Sequence, residues 1–328
     1  MLAYNFQLAW RGLRSHPRTS LLAVFTTALG LAATMTTLAL LHMLTADPLP
    51  GHSQRLYLAW VDTVRAKPDT YASPNRVQRS DYRRIRMADA QAMLAAHRAP
   101  AQAVLAGIQA DAQSEDGAHV AQAQSMLATS SDFFPMFGVP LRYGRAWSAA
   151  EDVARAPVAV ISADLAVELY GTADAVGRGL RIGRSVFRVV GVSGAFSPQP
   201  HFYDLAAWSF DTNSHESVFA PYPALLDAGL VPAGGDACDE ATGKPRLVFN
   251  VDPQRCAWLS YWVALDTPRQ VADYRAYLQH YAEREQAPPA YGRAPHARLY
   301  AVGEWLAQQQ VVPDSVRLDV WLAASFLL

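Results

Sequence analysis

Cysteine is scarce here: 328 residues contain only Cys238 and Cys256, too few for a fold framed by disulfides. In a reducing compartment the two read as free, buried thiols; outside it they read as one bridge. The sequence between them is loop-like, with Gly243-Lys244-Pro245 and Asp252-Pro253. The chain can therefore turn back, and closing that loop contributes roughly 3 kcal/mol in the chain-entropy account. Both readings of the pair stand, because bridge geometry is not written in a sequence. Charge is also thin, at 17% of residues with a formal net of −1. No basic cluster marks the folded part, which excludes a phosphate-binding surface and with it a nucleic-acid partner.

The signatures of catalysis are missing too. A P-loop needs glycine, four residues, then Gly-Lys-Ser/Thr, so that backbone amides cradle phosphates. The nearest approach ends at Gly243-Lys244-Pro245, with Cys238 where the first glycine belongs and proline where the hydroxyl must sit. Any ATP and Mg²⁺ chemistry is thereby assigned to another chain. Gly177-Arg-Gly-Leu-Arg-Ile-Gly183 is one residue off a dinucleotide fingerprint and opens no helix, so it reads as a turn. There is no Gly-x-Ser-x-Gly, and His215-Glu216 lacks the second histidine of a zinc helix. His201, His215 and Cys238 are the residues from which a metal site would be assembled, but the nine histidines are scattered. The expectation is no metal, no cofactor and no enzyme activity in this chain. The adjacent acids Glu151-Asp152 and Asp239-Glu240 read as solvated loops.

Charge has an uneven distribution. Residues 1–46 contain Arg11, Arg14 and Arg18 and no acid, which leaves 25 of the 28 Lys and Arg against all 29 Asp and Glu downstream. Beside those arginines, Leu21 to Leu44 runs for 24 residues without a formal charge, about 36 Å of helix and enough to cross a hydrocarbon core of about 30 Å. Thr26, Thr27, Thr34, Thr36 and Thr37 dilute the run, yet each hydroxyl can bond a carbonyl one turn back. Gly30, Ala33 and Thr34 form a small-residue face, as membrane-helix composition commonly does. A cleaved signal peptide would have a shorter apolar core and a small-residue cleavage site, so a retained span over 20–45 is expected. Basic residues stay in the cytoplasm, which puts the N-terminus inside and everything after Asp47 outside. Ahead of the span, Ala3–Arg14 has an apolar side and a polar side around Trp10, suiting an interfacial helix within 1–19. At the far end Val320–Leu328 is apolar and too short to span, and 318–328 reads as the start of a second transmembrane helix.

Between these ends the pattern alternates between strand and helix. Strands are expected at Arg55–Asp62, Val104–Ala110, His119–Ala128, Pro157–Ile161, Val218–Ala220, Trp258–Leu265 and Arg298–Val302. Leu180–Ile182 and Val186–Val192 form a hairpin around Gly183-Arg184. Helices are expected from a Ser80-Asp81 cap to about Ala95 with Tyr82, Ile85, Ala88, Ala92 and Ala96 on one face, from Ser162 to Tyr170, and from Pro268 to about Gln286 behind a Thr267 cap. Long loops fill most of 197–253. Two β-α-β units flanking a strand-rich middle predict an α+β domain with a second one inserted in it.

Three stretches carry a family likeness: Phe133-Phe134, Gly138, Leu141 and Gly144-Arg145; then Val158–Ser162 and Gly171; then Val176-Gly177, Phe187 and Val189–Val192. Together with the basic N-terminal helix, one span and the opening of another, they resemble the MacB-like periplasmic core within the FtsX-like permease family. Ser217–Pro221 resembles a later phrase of the same family. The resemblance covers nearly the whole chain and is weakest at 197–255. It implies a periplasmic domain made of a discontinuous βαβ porter-like subdomain, 53–105 with 256–312, and an inserted strand-rich subdomain, 106–255. It further implies a bacterial inner-membrane permease subunit that couples ATP hydrolysis by a separate cytoplasmic ABC ATPase to movement of the outside domain. The implied partners are that ATPase, a second permease protomer in a homo- or heterodimer, a periplasmic adaptor and the lipid bilayer. The competing class is a single-span, membrane-anchored sensor or binding module.

Overall fold

The computed structural model describes residues 17–45, 47–63, 83–203, 215–232, 237–238, 252, 254–285 and 296–309. The chain divides into two units with breaks at Ala46/Asp47 and Gln309/Gln310. In the first, one unbroken α-helix runs over Pro17–Thr45, starting on the residue type that best tolerates a missing N–H at the first turn. Its Leu21, Phe25, Leu29 and Met35 are all exposed. Among the described residues it alone is long and apolar enough to cross a membrane. The threonine hydroxyls behave as their positions require: Thr27 donates to the Ala23 carbonyl, Thr34 to Gly30 and Thr36 to Ala32, each at 2.8 Å. The expected interfacial helix at Ala3–Arg14 and the apolar end at 318–328 lie outside the described residues.

The second unit, Asp47–Gln309, is α+β. Its strands are β1 (Leu56–Asp62), β2 (Ile85–Arg86), β3 (Ala101–Ser114), β4 (Val120–Thr129), β5 (Leu141–Gly144), β6 (Val158–Ser162), β7 (Gly179–Ile182), β8 (Ser185–Ser193), β9 (Val218–Pro221), β10 (Ala237–Cys238), β11 (Cys256–Ala264) and β12 (His296–Ala301). They form one sheet in the order β12-β1-β11-β3-β4-β9-β6-β8-β5, with β2 and β10 on β11. β7 pairs with both β3 and β8. The pairings β3-β4-β9-β6-β8-β7 therefore return to β3 and close a circuit, with β5 added outside it on β8. β3 serves both parts, its Ala101–Leu105 stretch pairing with β11 and its Ala112–Ser114 stretch with β7.

In the other part β11 is buried at all nine positions, as a strand covered on both faces must be. Tyr261 and Val263 point into one hydrophobic layer and Trp262 and Ala264 into another, the two-residue period of a strand. The Pro268–Glu285 helix fills the first layer with Tyr274, Leu278 and Tyr281, on the face its spacing predicts. Its Thr267 hydroxyl accepts from the Gln270 amide at 3.2 Å. The hairpin at Gly183 and the Ser162-capped, Gly171-terminated helix also form where expected.

The first helix of the domain corrects the sequence reading. It spans Met87–Ala96, because Ile85 and Arg86 are taken up by pairing with β11. It buries Met87, Asp89, Ala90 and Met93 and leaves Ala88, Ala92 and Ala96 exposed; Ser80–Tyr82 lie outside the described residues. The true stripe is disguised by a buried carboxylate. Asp89 accepts from Thr63 Oγ1, from Arg86 Nε at 3.0 Å and from Tyr281 OH at 2.9 Å, which compensates its desolvation and ties β1, this helix and the Pro268–Glu285 helix together.

Candidate functional site

The domain is entered at Asp47 and left at Gln309. The segments at both points are fastened to one aromatic cluster. Its centre is the short helix Phe133–Phe137, where Phe133 stacks on Phe137 at 4.5 Å and Phe134 meets Trp147 edge-on at 4.8 Å. Phe137 and Phe202 both lie against Trp262 of β11, at 6.0 and 5.4 Å. Asp132 holds the helix in place by accepting from the Gln102 amide of β3 at 3.0 Å.

From the entry side, Leu49 packs on this cluster and His52 Nδ1 lies 3.0 Å from the Met136 carbonyl. The contact depends on Gly138: its φ is +65°, and a Cβ there would stand 2.6 Å from His52 Nε2. From the exit side, the helix Val302–Gln308 buries Val302 and Trp305 in the same cluster. Trp305 Nε1 donates to the Phe202 carbonyl at 2.9 Å.

A polar lock stands beside Phe202. His201 Nε2 is 2.7 Å from Glu216 Oε1, and Tyr203 OH donates to Glu216 Oε2 at 2.8 Å; all three residues are buried. Burial works to raise the Glu216 pKa, but the His201 charge and the hydrogen bonds from His201 and Tyr203 outweigh it, leaving the carboxyl below its usual range. This is a buried histidine–carboxylate contact between residues on either side of 204–214.

A second lock explains the Gly144-Arg145 phrase. Arg145 grips Glu151 with two parallel bonds of 2.8 Å, the strong geometry for guanidinium and carboxylate. Glu151 also closes a capping box with Ser148. The bond from Arg145 is the main cause that lowers the Glu151 pKa to about 2. Asp152 accepts from Trp147 Nε1 and from the Ser131 amide, both at 2.7 Å, and burial raises its pKa. Glu151-Asp152 is thus a structural clasp, which corrects its reading as a solvated loop. The signal was present as Ser148-x-x-Glu151, the capping-box spacing. Asp239-Glu240 lies outside the described residues.

The other singled-out residues fall as follows. Cys256 is disulfide-bonded and no described cysteine is free; Cys238, the chain's other cysteine, is its register partner in the antiparallel β10–β11 pair. His201 faces Glu216, whereas His215 is exposed. Among the described residues no group of three or more His, Cys, Asp or Glu is placed to hold a metal ion. Gly177 and Gly183 both have positive φ and flank β7, in keeping with a turn. Gly243-Lys244-Pro245 lies outside the described residues.

An α+β domain preceded by a helix long and apolar enough to cross a membrane defines the class: a domain carried behind one candidate membrane span. A family model, the MacB-like periplasmic core domain, matches residues 20–280, and the chain belongs to that family. The periplasmic region of MacB from Actinobacillus actinomycetemcomitans is similar at 11% identity and a TM-score of 0.46, covering 84% of this chain and 97% of that one. The extracellular domain of the noncanonic ABC-type transporter YknZ from Gram-positive bacteria is similar at 10% identity and a TM-score of 0.44, covering 75% of this chain and 99% of that one. A search of curated protein sequences found no match.

Proposed function

We propose that this chain is a permease subunit of a MacB/FtsX-type ABC transporter, coupling ATP hydrolysis by a separate cytoplasmic ATPase to movement of its outside domain. The observation that carries the reading is the shared fastening of entry and exit segments to the Phe133–Phe137 cluster in a chain of this family. Interiors packed at crystal-like density transmit strain instead of absorbing it. A displacement of either membrane-side segment is then passed to the cluster, and from Trp262 to the central strand β11. ATP and Mg²⁺ belong to the partner ATPase. A second permease protomer completes the pair of outside domains, a periplasmic adaptor extends it, and the arginines before Leu21 hold the N-terminus in the cytoplasm of a bacterial inner membrane.

The test is affinity purification of the chain with its membrane solubilised, followed by an ATPase assay on the recovered complex in nanodiscs. Recovery of an ABC ATPase whose turnover changes at least several-fold when Trp305→Ala is introduced supports the coupling. Recovery of none would favour the single-span sensor. Protease added to intact spheroplasts checks orientation: cleavage after Pro48 is expected, and complete protection there contradicts it.

A further inference from the structure

The turn between β3 and β4, the end of the Ala163–Tyr170 helix and the start of β7 converge around a cavity of about 460 Å³. That is within the range of about 300–1000 Å³ for small-molecule sites. Every residue from Ser114 to Gly179 is described. The floor is the buried Leu169 with the half-buried Tyr170, and Glu115, Asp116, His119 and Arg178 stand around it.

Local bonds fix these groups. Asp116 Oδ1 accepts from Ser114 Oγ at 2.6 Å and from the Ala118 amide at 3.0 Å. The Ser114 bond is the first cause that holds this carboxyl below its usual range, so it is ionised. Tyr170 OH donates to the Gly179 carbonyl at 2.9 Å, which also accepts from the Glu115 amide at 3.1 Å. Burial pushes the Tyr170 phenol up to about 12, and it stays a donor. Arg178 is held through its backbone: its amide donates to the Ala175 carbonyl at 3.1 Å and its carbonyl accepts from Val189 at 2.9 Å. Gly179 has no positive φ to call for glycine, yet a Cβ there would stand 2.1 Å from Glu115 Oε2. The missing Cβ is the space in which the Glu115 carboxylate lies.

The walls therefore carry both signs, and the signs do not cancel. Among the described residues no ion pair joins Arg178 to Glu115 or Asp116, although all three line one cavity. A solvated turn also carries charge, but it needs no glycine to seat a carboxylate. The mixture restricts the occupant. An anion alone meets two carboxylates, a cation alone meets Arg178, and among the described residues no three His, Cys, Asp or Glu are placed to hold a metal ion. A molecule with both charges and an apolar body satisfies every wall.

We propose that this cavity binds a small zwitterion of the amino-acid class, its ammonium on Glu115 and Asp116, its carboxylate on Arg178 and its apolar part on Leu169 and Tyr170. Charges already held in place keep the ordering cost of binding low. The site goes beyond the permease reading and does not rest on it, so failure to recover an ATPase would leave it intact.

The probe is L-leucine, titrated by calorimetry into the full chain in maltoside micelles, beside leucinamide, N-acetyl-leucine and phosphoethanolamine. Leucine is expected to bind at least tenfold tighter than either blocked form. Arg178→Gln should bring leucine down to the level of leucinamide, and Glu115→Gln should bring it down to the level of N-acetyl-leucine. Both changes are at exposed positions and should leave the unfolding midpoint unchanged. No heat from leucine at millimolar concentration, equal binding of leucine and its blocked forms, or full binding of leucine by both variants would each overturn the proposal. Tighter binding of phosphoethanolamine than of leucine would overturn it in favour of a zwitterionic lipid headgroup.

Discussion

Gly144 and Gly171 have the same backbone setting, φ +68°, but different surroundings. A Cβ on Gly144 would lie 2.2 Å from the Val190 carbonyl oxygen, whereas one on Gly171 would meet nothing within 4 Å. Gly171→Ala should therefore cost only the left-handed penalty, about 1 kcal/mol. Gly144→Ala adds overpacking against backbone that cannot swing aside, for about 3 kcal/mol in all. Urea unfolding of the two variants checks the difference, and equal losses would mean that β5 and β8 separate freely. Glu151 gives a pH test at the same scale. Its folded pKa is depressed from 4.5 to about 2, so its contribution is fully present above the unfolded value and is lost as pH falls through the folded one. With the Arg145 partner partly exposed, about 1 kcal/mol is a fair magnitude after solvent screening. The stability gap between the native chain and Glu151→Gln should be constant above about pH 5.5 and close progressively between pH 4.5 and 2. A gap that persists at pH 2 would show that the capping geometry, and not ionisation, holds the clasp.

At the scale of elements, what was legible in the sequence is what local chemistry dictates. The Ala163–Tyr170 helix is bracketed by Ser162, whose hydroxyl accepts from the Leu165 amide, and by Gly171 in the left-handed region; both are readable without tertiary structure. The Met87–Ala96 helix was misphased because its buried acid finds partners 26 and 192 residues away in Thr63 and Tyr281. Phe133–Phe137 is five residues long, too short for a period to declare itself, and the aromatic phrase was visible only as a family likeness. The β10–β11 pair carries a prediction of its own. With Cys256 bonded and Cys238 opposite it, a non-reducing peptide map should return residues 238 and 256 in one linked fragment. Reduction should cost about 3 kcal/mol, as the chain-entropy account gives for a loop of this size. Two separate peptides, or no change in unfolding midpoint with dithiothreitol, would count against a bridge that braces β11.

For the whole molecule the informative feature is that the domain's two ends share one support. No sequence period reveals it: Trp305 and Phe202, which join through one hydrogen bond, are 103 residues apart, and Leu49 reaches the same cluster from the opposite end of the domain. The apolar run made the candidate membrane span legible; the support shared by the domain's two ends is a product of folding. If the cluster acts as one body, Leu49→Ala and Trp305→Ala should not add. Trp305→Ala should destabilise by roughly 3–5 kcal/mol and also leave the Phe202 carbonyl without its donor, whereas Leu49→Ala, at a half-buried position, should cost about 1–2 kcal/mol. Residues coupled through a shared packing cluster show interaction energies of about 0.5–3 kcal/mol in a double-mutant cycle, whereas independent sites add to within about 0.5 kcal/mol. The cycle, run by urea unfolding on the full chain in micelles, separates the two cases. Strict additivity would mean that entry and exit are held by independent patches, and that a pull on one side reaches β11 without engaging the other. Coupling above about 0.5 kcal/mol would mean that the entry and exit segments load the same aromatic support, so that the two ends of the domain are held as one body.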